Sequence, residues 1–399
     1  MLTDLDKTKC TGCSACYSAC PTNSIVMEKD EEGFLYPRVL DSCGKCGKCE
    51  RICPSLNKVV SVPTVTQKAY CVLSKSKRVW KKSASGGAFS EICNAYGDAN
   101  TMISGAVFNG FNVEHVVVKG VENIAPLRKS KYVASNVNDC YKIIKEELLD
   151  GKKAIFCGTP CQVAGLKAFL GKDYENLLLI DLICHGAGSP KVFTDCIDIA
   201  EKDFNAKVVE YEFRAKRITY ETPYLVKLSF SNNKKLYVVD ERYMQLFLNQ
   251  DCLRPSCAQN CIYRTSNRKG DLTIADCKNV QSIFPELIGS NYNYSTVVTN
   301  TKKGEIVLEN MKKYAIIKEY DIEHVKKYNP LFFRQTGKAS NREVFFNDYK
   351  TLGGENTILK YTTSPVVKKI NKKQVIARAI LKLCPKKIKK RFFKTLKIK

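Results

Sequence analysis

Between residues 68 and 335 the hydrophobic positions fall into short runs separated by amphipathic stretches. Four runs, 102–108, 113–118, 154–157 and 177–183, are rich in β-branched and aliphatic residues and read as strands. Residues 138–149 set Tyr141, Ile144, Leu148 and Leu149 at helical spacing, and Asp150-Gly151 closes that helix. Ala154-Ile155-Phe156 then passes through Gly158-Thr159-Pro160-Cys161 into a helical stretch, QVAGLKAFL, and on to a strand, LLLID. This β–loop–α–β order predicts parallel strands, with the loop where such sheets hold their ligands. Residues 210–213 and 224–230 read as further strands added antiparallel. From Ile370 onward the pattern predicts two short amphipathic helices broken at Pro385.

The first 57 residues lack this rhythm and are organised by cysteine. Cys10-x2-Cys13-x2-Cys16-x3-Cys20-Pro21 recurs as Cys43-x2-Cys46-x2-Cys49-x3-Cys53-Pro54 with identical spacing. A cubane cluster needs four converging thiolates; each tight loop supplies three, and in this motif the fourth comes from the other repeat. Cys10, Cys13, Cys16 and Cys53 are therefore expected to hold one [4Fe–4S] cluster, and Cys43, Cys46, Cys49 and Cys20 a second. Gly12, Gly44 and Gly47 let the backbone wrap close to the sulfurs. Structural zinc is the alternative for paired cysteines, but four-ligand zinc has no use for a duplicated octet followed twice by proline.

Two totals sharpen this picture. The 399 residues include 20 cysteines and carry a formal charge of +25. A long chain opening MLTDLDKTKC, without an apolar leader, suits reduced thiols and a cytoplasmic setting better than a disulfide framework. Fourteen Lys or Arg and no acid lie in residues 365–399, leaving +11 for the rest and arguing against a basic groove across the body. Ile376, Ile380, Leu383, Ile388, Phe392 and Leu396 line the tail's apolar face. It suits peripheral contact with an anionic membrane at the inner face, or serves solubility alone. No aromatic platform or reading motif accompanies the charge, so no nucleic-acid partner is expected.

Beyond the repeat, Ser83-Ala84-Ser85-Gly86-Gly87 opens a helix (AFSEICNAY) and offers N–H groups to an anion. Cys161 starts a helix, where the dipole favours thiolate, and Cys184 follows the strand ending in Asp181-Leu182-Ile183. Leu253-Arg254-Pro255-Ser256-Cys257-x3-Cys261 adds a close pair. These motifs, with SKYVAS (130–135), GTPCQVAGLK (158–167), DLICHG and GDLTIAD (270–276), resemble the beta subunits of coenzyme F420 hydrogenases and dehydrogenases over residues 70–300. The resemblance implies FAD and a third [4Fe–4S] cluster held by Cys161, Cys184, Cys257 and Cys261. It implies flavin contacts from Ser83, Ser85, Gly86, Gly87, Lys131, Gly158, Thr159, Pro160 and Gln162. The family spaces its late pair C-x2-C, whereas three residues intervene here, so Cys252 or Cys277 stands as an alternative ligand. His185 is a candidate proton shuttle or a packed structural residue; His115 and His324 read as structural or exposed, and the remaining cysteines as buried structural thiols.

The expected fold is α+β. A bacterial-type ferredoxin module (1–57) precedes a mixed α/β flavin-binding domain in two parts, 68–150 and 151–335, and a basic helical tail (365–399). The expected function is an oxidoreductase passing electrons between ferredoxin-type clusters and a two-electron substrate through FAD. The substrate is F420 or a carbohydrate-pathway intermediate, and the protein partner a ferredoxin-type carrier or a redox-complex subunit. The alternative is an electron-transfer subunit with no substrate site of its own.

Overall fold

The computed structural model describes residues 5–57, 63–216, 224–259, 261–287, 293–334 and 341–368. The basic tail and its two expected helices lie outside the described residues, apart from the short strand noted below.

The cysteine-rich segment folds around a hairpin of β1 (Ile25–Lys29) and β2 (Leu35–Val39), paired Ile25 to Val39 through Lys29 to Leu35. The sequence repeat is also a backbone repeat. Gly12 and Ser14 in the first loop and Lys45 and Gly47 in the second all have positive φ, and each loop leads into a short helix, Ala15–Ala19 or Lys48–Arg51. The turn expected of Gly44 is made one residue later by Lys45.

Beyond β3 (Lys68–Ser74), the expected strands appear as β4 (Met102–Asn109), β5 (Asn112–Lys119), β6 (Ala154–Gly158) and β7 (Leu177–Leu182). Next come β8 (Val208–Glu212), β9 (Val226–Phe230), β10 (Lys235–Val239), β11 (Leu272–Asp276), β12 (Ser295–Thr299), β13 (Ala315–Tyr320) and β14 (Val366–Val367). Eight strands form one mixed sheet in the order β13-β3-β12-β11-β7-β6-β4-β5. Its centre is parallel, β4 to β6, β6 to β7 and β7 to β11, and its flanks are antiparallel.

Alternation along β6 and β7 builds the two cores. Ile155, Leu178 and Ile180 pack against helices Ala88–Tyr96 and Lys302–Met311, while Phe156, Leu177 and Leu179 pack against Cys140–Leu149 and Pro160–Leu170. The order β14-β10-β9-β8 makes a second, antiparallel sheet. Its apolar face packs against helices Pro190–Phe204 and Arg242–Asn249 around Phe193, Phe213 and Phe247.

The ferredoxin module is seated on this body. Glu32 pairs with Arg342, the Glu32 carbonyl accepts from Ser189 Oγ at 2.5 Å, and Tyr17 donates to Asp139 at 3.0 Å.

Candidate functional site

The first three cysteines of the first repeat and the last of the second come together, as expected for one of the two sets. Burial and the adjacent Cys10 and Cys53 sulfurs push the Cys13 thiol up to about 12, and burial with Cys13, Cys10 and Cys53 pushes Cys16 higher still. These four cysteines surround one small buried cavity. At the other end Cys49 faces Cys43. Cys20 accepts the Ser24 amide at 3.2 Å, and Ser24 meets Ser42, beside Cys43, at 2.8 Å. This second set is more open: Cys46 is exposed, and Cys20, Cys43 and Cys49 are partly so.

In the body, the carboxyl ends of the parallel strands supply the next thiols. Gly158 ends β6, and Thr159 and Gln162 cap the following helix reciprocally, which fixes the first turn that carries Cys161. Asp181, fully buried on β7, pairs with Arg268 at 3.0 Å and accepts from Thr273 and the Lys269 and Gly270 amides, pinning the strand that delivers Cys184. Cys161 faces Cys257, Cys184 and Cys261, and Cys184 faces Cys257 and Cys261. Burial dominates here too, pushing Cys184 up to about 12 and Cys161 well above the usual thiol value. The helix-end dipole expected to favour thiolate at Cys161 is outweighed, so metal binding would have to displace these protons. Among the described residues no three Cys, His, Asp or Glu side chains converge tightly enough for a single metal ion.

Two residues join the buried ferredoxin set to the body set. Tyr141 lies beside both Cys13 and Cys161, its hydroxyl donating to the Gln162 carbonyl at 2.6 Å. Tyr263 lies beside Cys13 and Cys53 on one side and Cys161 and Cys261 on the other. Its buried hydroxyl has no partner among the described residues.

All four body thiols line a cavity of about 710 Å³. Eight of the nine residues expected at a flavin line it as well: Ser83, Ser85, Gly87, Lys131, Gly158, Thr159, Pro160 and Gln162. Gly86 lies beneath, its amide donating to Ser295 Oγ at 2.9 Å. Ser83 and Ser85 spend their hydroxyls on the Val79 and Tyr294 carbonyls, so they shape the turn. What faces the cavity is the start of helix Ala88–Tyr96 with Arg128, Lys129 and Lys131 close by. Burial lowers the Lys131 ammonium to about 7, although its Nζ donates to the Arg128 carbonyl at 2.7 Å. Arg214, at positive φ, reaches Asp276 at 2.6 Å and the Tyr132 hydroxyl at 3.1 Å across the same space.

His115, read from the sequence as structural or exposed, also lines this cavity. It is buried on β5, stacks on Phe156 at 5.5 Å, and lies beside the Cys157 backbone. Burial lowers its pKa to about 4, so the imidazole is neutral. The sequence signal was there: Val113, His115 and Val117 share one face of an alternating strand. His185 also borders the cavity, with Nε2 3.0 Å from the Phe247 carbonyl and its ring against Phe247. The two alternative ligands lie elsewhere. Cys252 is buried in the core around Phe193, near Cys196, and Cys277 packs against Cys71 and Tyr320.

Duplicated cysteine loops seated on an α/β body, with a further thiol group beside a basic cavity, define an iron–sulfur protein of the electron-transfer class. Residues 9–67 match the 4Fe-4S dicluster domain, and residues 151–325 match the C terminus of the coenzyme F420 hydrogenase/dehydrogenase beta subunit. The chain thus carries the C-terminal domain of that beta-subunit family behind a dicluster ferredoxin domain. It is 23% identical over 357 residues to a coenzyme F420-dependent sulfite reductase of Methanocaldococcus jannaschii, covering 86% of this chain and 52% of that protein. It is 22% identical over 222 residues to one of the subunits of the F(420)H(2) dehydrogenase of Methanosarcina mazei, covering 51% of this chain and 61% of that one. The chain thus spans about half the length of the first relative. A chain of the F420-reducing [NiFe] hydrogenase complex from Methanosarcina barkeri aligns with a TM-score of 0.46 at 17% identity, over 73% of this chain and 95% of that one.

Proposed function

We propose that this chain is an iron–sulfur flavoprotein oxidoreductase in which the ferredoxin module and the cavity are successive stations of one electron path. The observation that carries this reading is contiguity. Cys13 lies against the helix that carries Cys161, and Tyr141 and Tyr263 lie near both thiol groups. The partly exposed set of Cys20, Cys43, Cys46 and Cys49 suits exchange with a protein carrier, and the buried set leads inward. Cys161, Cys184, Cys257 and Cys261 fit a third [4Fe–4S] cluster on chemistry as well as placement, being four thiols at a cavity wall.

The cavity fits FAD. It has the volume of a cofactor site, a helix N-terminus with Arg128 and Lys131 beside it for a pyrophosphate, and a neutral imidazole at its wall. FAD bound there would supply the conversion between single electrons and a two-electron substrate. The residues of the chain do the rest. Arg128 and Lys131 supply positive charge, Lys129 is paired with Glu212, Arg214 and Asp276 bracket the far wall, and His185 is the candidate to hold a proton near the Cys184 loop. F420 is the substrate favoured by the names of both curated relatives; a carbohydrate-pathway intermediate is the other. Peripheral membrane contact through the basic tail remains part of the proposal; among the described residues no helix is long and apolar enough to cross a membrane.

The alternative, an electron-transfer subunit without a substrate site, is favoured by the relative that is itself one subunit of a dehydrogenase. Anaerobic addition of reduced F420 to purified, flavin-loaded protein separates these readings. Bleaching of flavin and cluster absorbance supports a substrate site for F420. Absorbance that responds only to a reduced protein carrier supports the electron-transfer reading.

A further inference from the structure

Arg254 is buried, and no carboxylate is among its contacts in the described residues. Its Nε donates to the Cys10 carbonyl at 2.8 Å, and one terminal nitrogen donates to the Leu35 carbonyl at 2.8 Å and approaches Cys10 Sγ at 3.6 Å. The guanidinium lies over the Tyr36 ring at 4.1 Å. Cys257, three residues on, donates its amide to the Arg254 carbonyl at 2.9 Å and lines the same cavity, and Ser256 Oγ donates to the same Cys10 carbonyl at 3.0 Å. The nearby acids are engaged elsewhere: Asp30 pairs with Lys7 at 3.0 Å and Glu32 with Arg342. The first cysteine loop is shaped to admit this side chain. Gly12 has a φ of +68°, and a β-carbon there would stand 2.8 Å from Arg254 Nη1.

A buried cation without a counterion is strongly disfavoured. The groups around Arg254 able to carry negative charge are the Cys10 and Cys257 sulfurs and the Tyr36 hydroxyl. One sulfur belongs to the inner ferredoxin set and the other to the body set. The counter-charge to Arg254 is thus supplied when both sets are thiolates on clusters.

We infer that Arg254 links the inner ferredoxin cluster to the body cluster, binding the Cys10 loop and sharing its positive charge between the two. This rests on the three-cluster reading above. Reduction adds one negative charge to a cluster, and a fixed cation beside the sulfurs favours the reduced form and raises the potential. Because one guanidinium serves both sites, their potentials rise together. An electron then passes from one cluster to the other with no proton taken up or released at Arg254. The outer set of Cys20, Cys43, Cys46 and Cys49 lies beyond its contacts and is an internal reference.

The test is a redox titration followed by electron paramagnetic resonance on the full chain as wild type, Arg254→Gln and Arg254→Lys, with iron content measured alongside. Fewer than three cluster signals in wild type would overturn the three-cluster reading, and this inference with it. Given three, Arg254→Gln is expected to lower the potentials of two clusters and leave the third unchanged, while Arg254→Lys stays near wild type. Unchanged potentials in Arg254→Gln, or a shift of a single cluster or of all three equally, would overturn it. If Arg254→Gln loses iron, retention of all clusters at wild-type potentials in Arg254→Lys supports the charge role. Equal iron loss in both variants would overturn it and leave Arg254 a packing anchor.

Discussion

Cys13 packs its Cβ and Sγ 3.0 Å from where a β-carbon on Gly165 would stand, one helical turn after Cys161. The absent side chain lets the inner cysteine loop close onto the helix whose first turn holds a body thiol. Gly165→Leu should wedge this contact open and overpack the surroundings of Tyr141, costing about 1–3 kcal/mol. Electron transfer from the ferredoxin module into the body should slow while iron content is retained. Stopped-flow reduction with a reduced carrier, beside thermal unfolding, checks both; an unchanged rate in the destabilised variant would count against this route.

Asp181 and Arg268 form a fully buried pair beneath the strand end that presents Cys184. Arg268→Met strands the carboxylate and should cost about 3–5 kcal/mol. Iron should fall at the body site before the ferredoxin module, since Cys184 depends on this pin. Unfolding curves with iron content per chain report it.

His115 gives a pH signature. The unfolded chain takes up its proton near the usual 6.5, the folded chain only near 4. The unfolded state therefore binds more protons between those values, so this contribution to stability is full above about 6.5 and lost as pH falls towards 4. The loss amounts to about 3 kcal/mol. His115→Phe should flatten the difference in unfolding temperature between pH 5 and pH 7.5 relative to wild type. If the imidazole also contacts the flavin, the variant should bind FAD more weakly at pH 7.5.

Lys131 links cofactor binding to protons in the opposite sense. Burial holds it near 7, and a bound pyrophosphate would raise it. Binding then takes up a proton, so FAD affinity should fall as pH rises above 7, by at most tenfold per pH unit. Calorimetry in buffers of different ionisation enthalpy should show this uptake, and Lys131→Gln should remove it.

The cysteine octet was legible in the sequence because cluster geometry restricts ligand spacing, and the β6–helix–β7 unit because its signals are local. β3, β12 and β13 were missed, since each is set by antiparallel partners distant in the chain. That Cys252 and Cys277, the alternatives to Cys257 or Cys261, are buried in other cores also lay in long-range packing. Arg254 sat inside a recognised motif, but its reach to Cys10, 244 positions earlier, exists only in the folded chain.

Iron and flavin content of anaerobically purified protein, in wild type and Cys161→Ser, tests the central claim most directly. Three cubanes and one flavin require about twelve iron atoms and one FAD per chain, falling towards eight iron atoms in Cys161→Ser. Eight iron atoms without flavin in wild type, unchanged by Cys161→Ser, would contradict it and leave a two-cluster carrier.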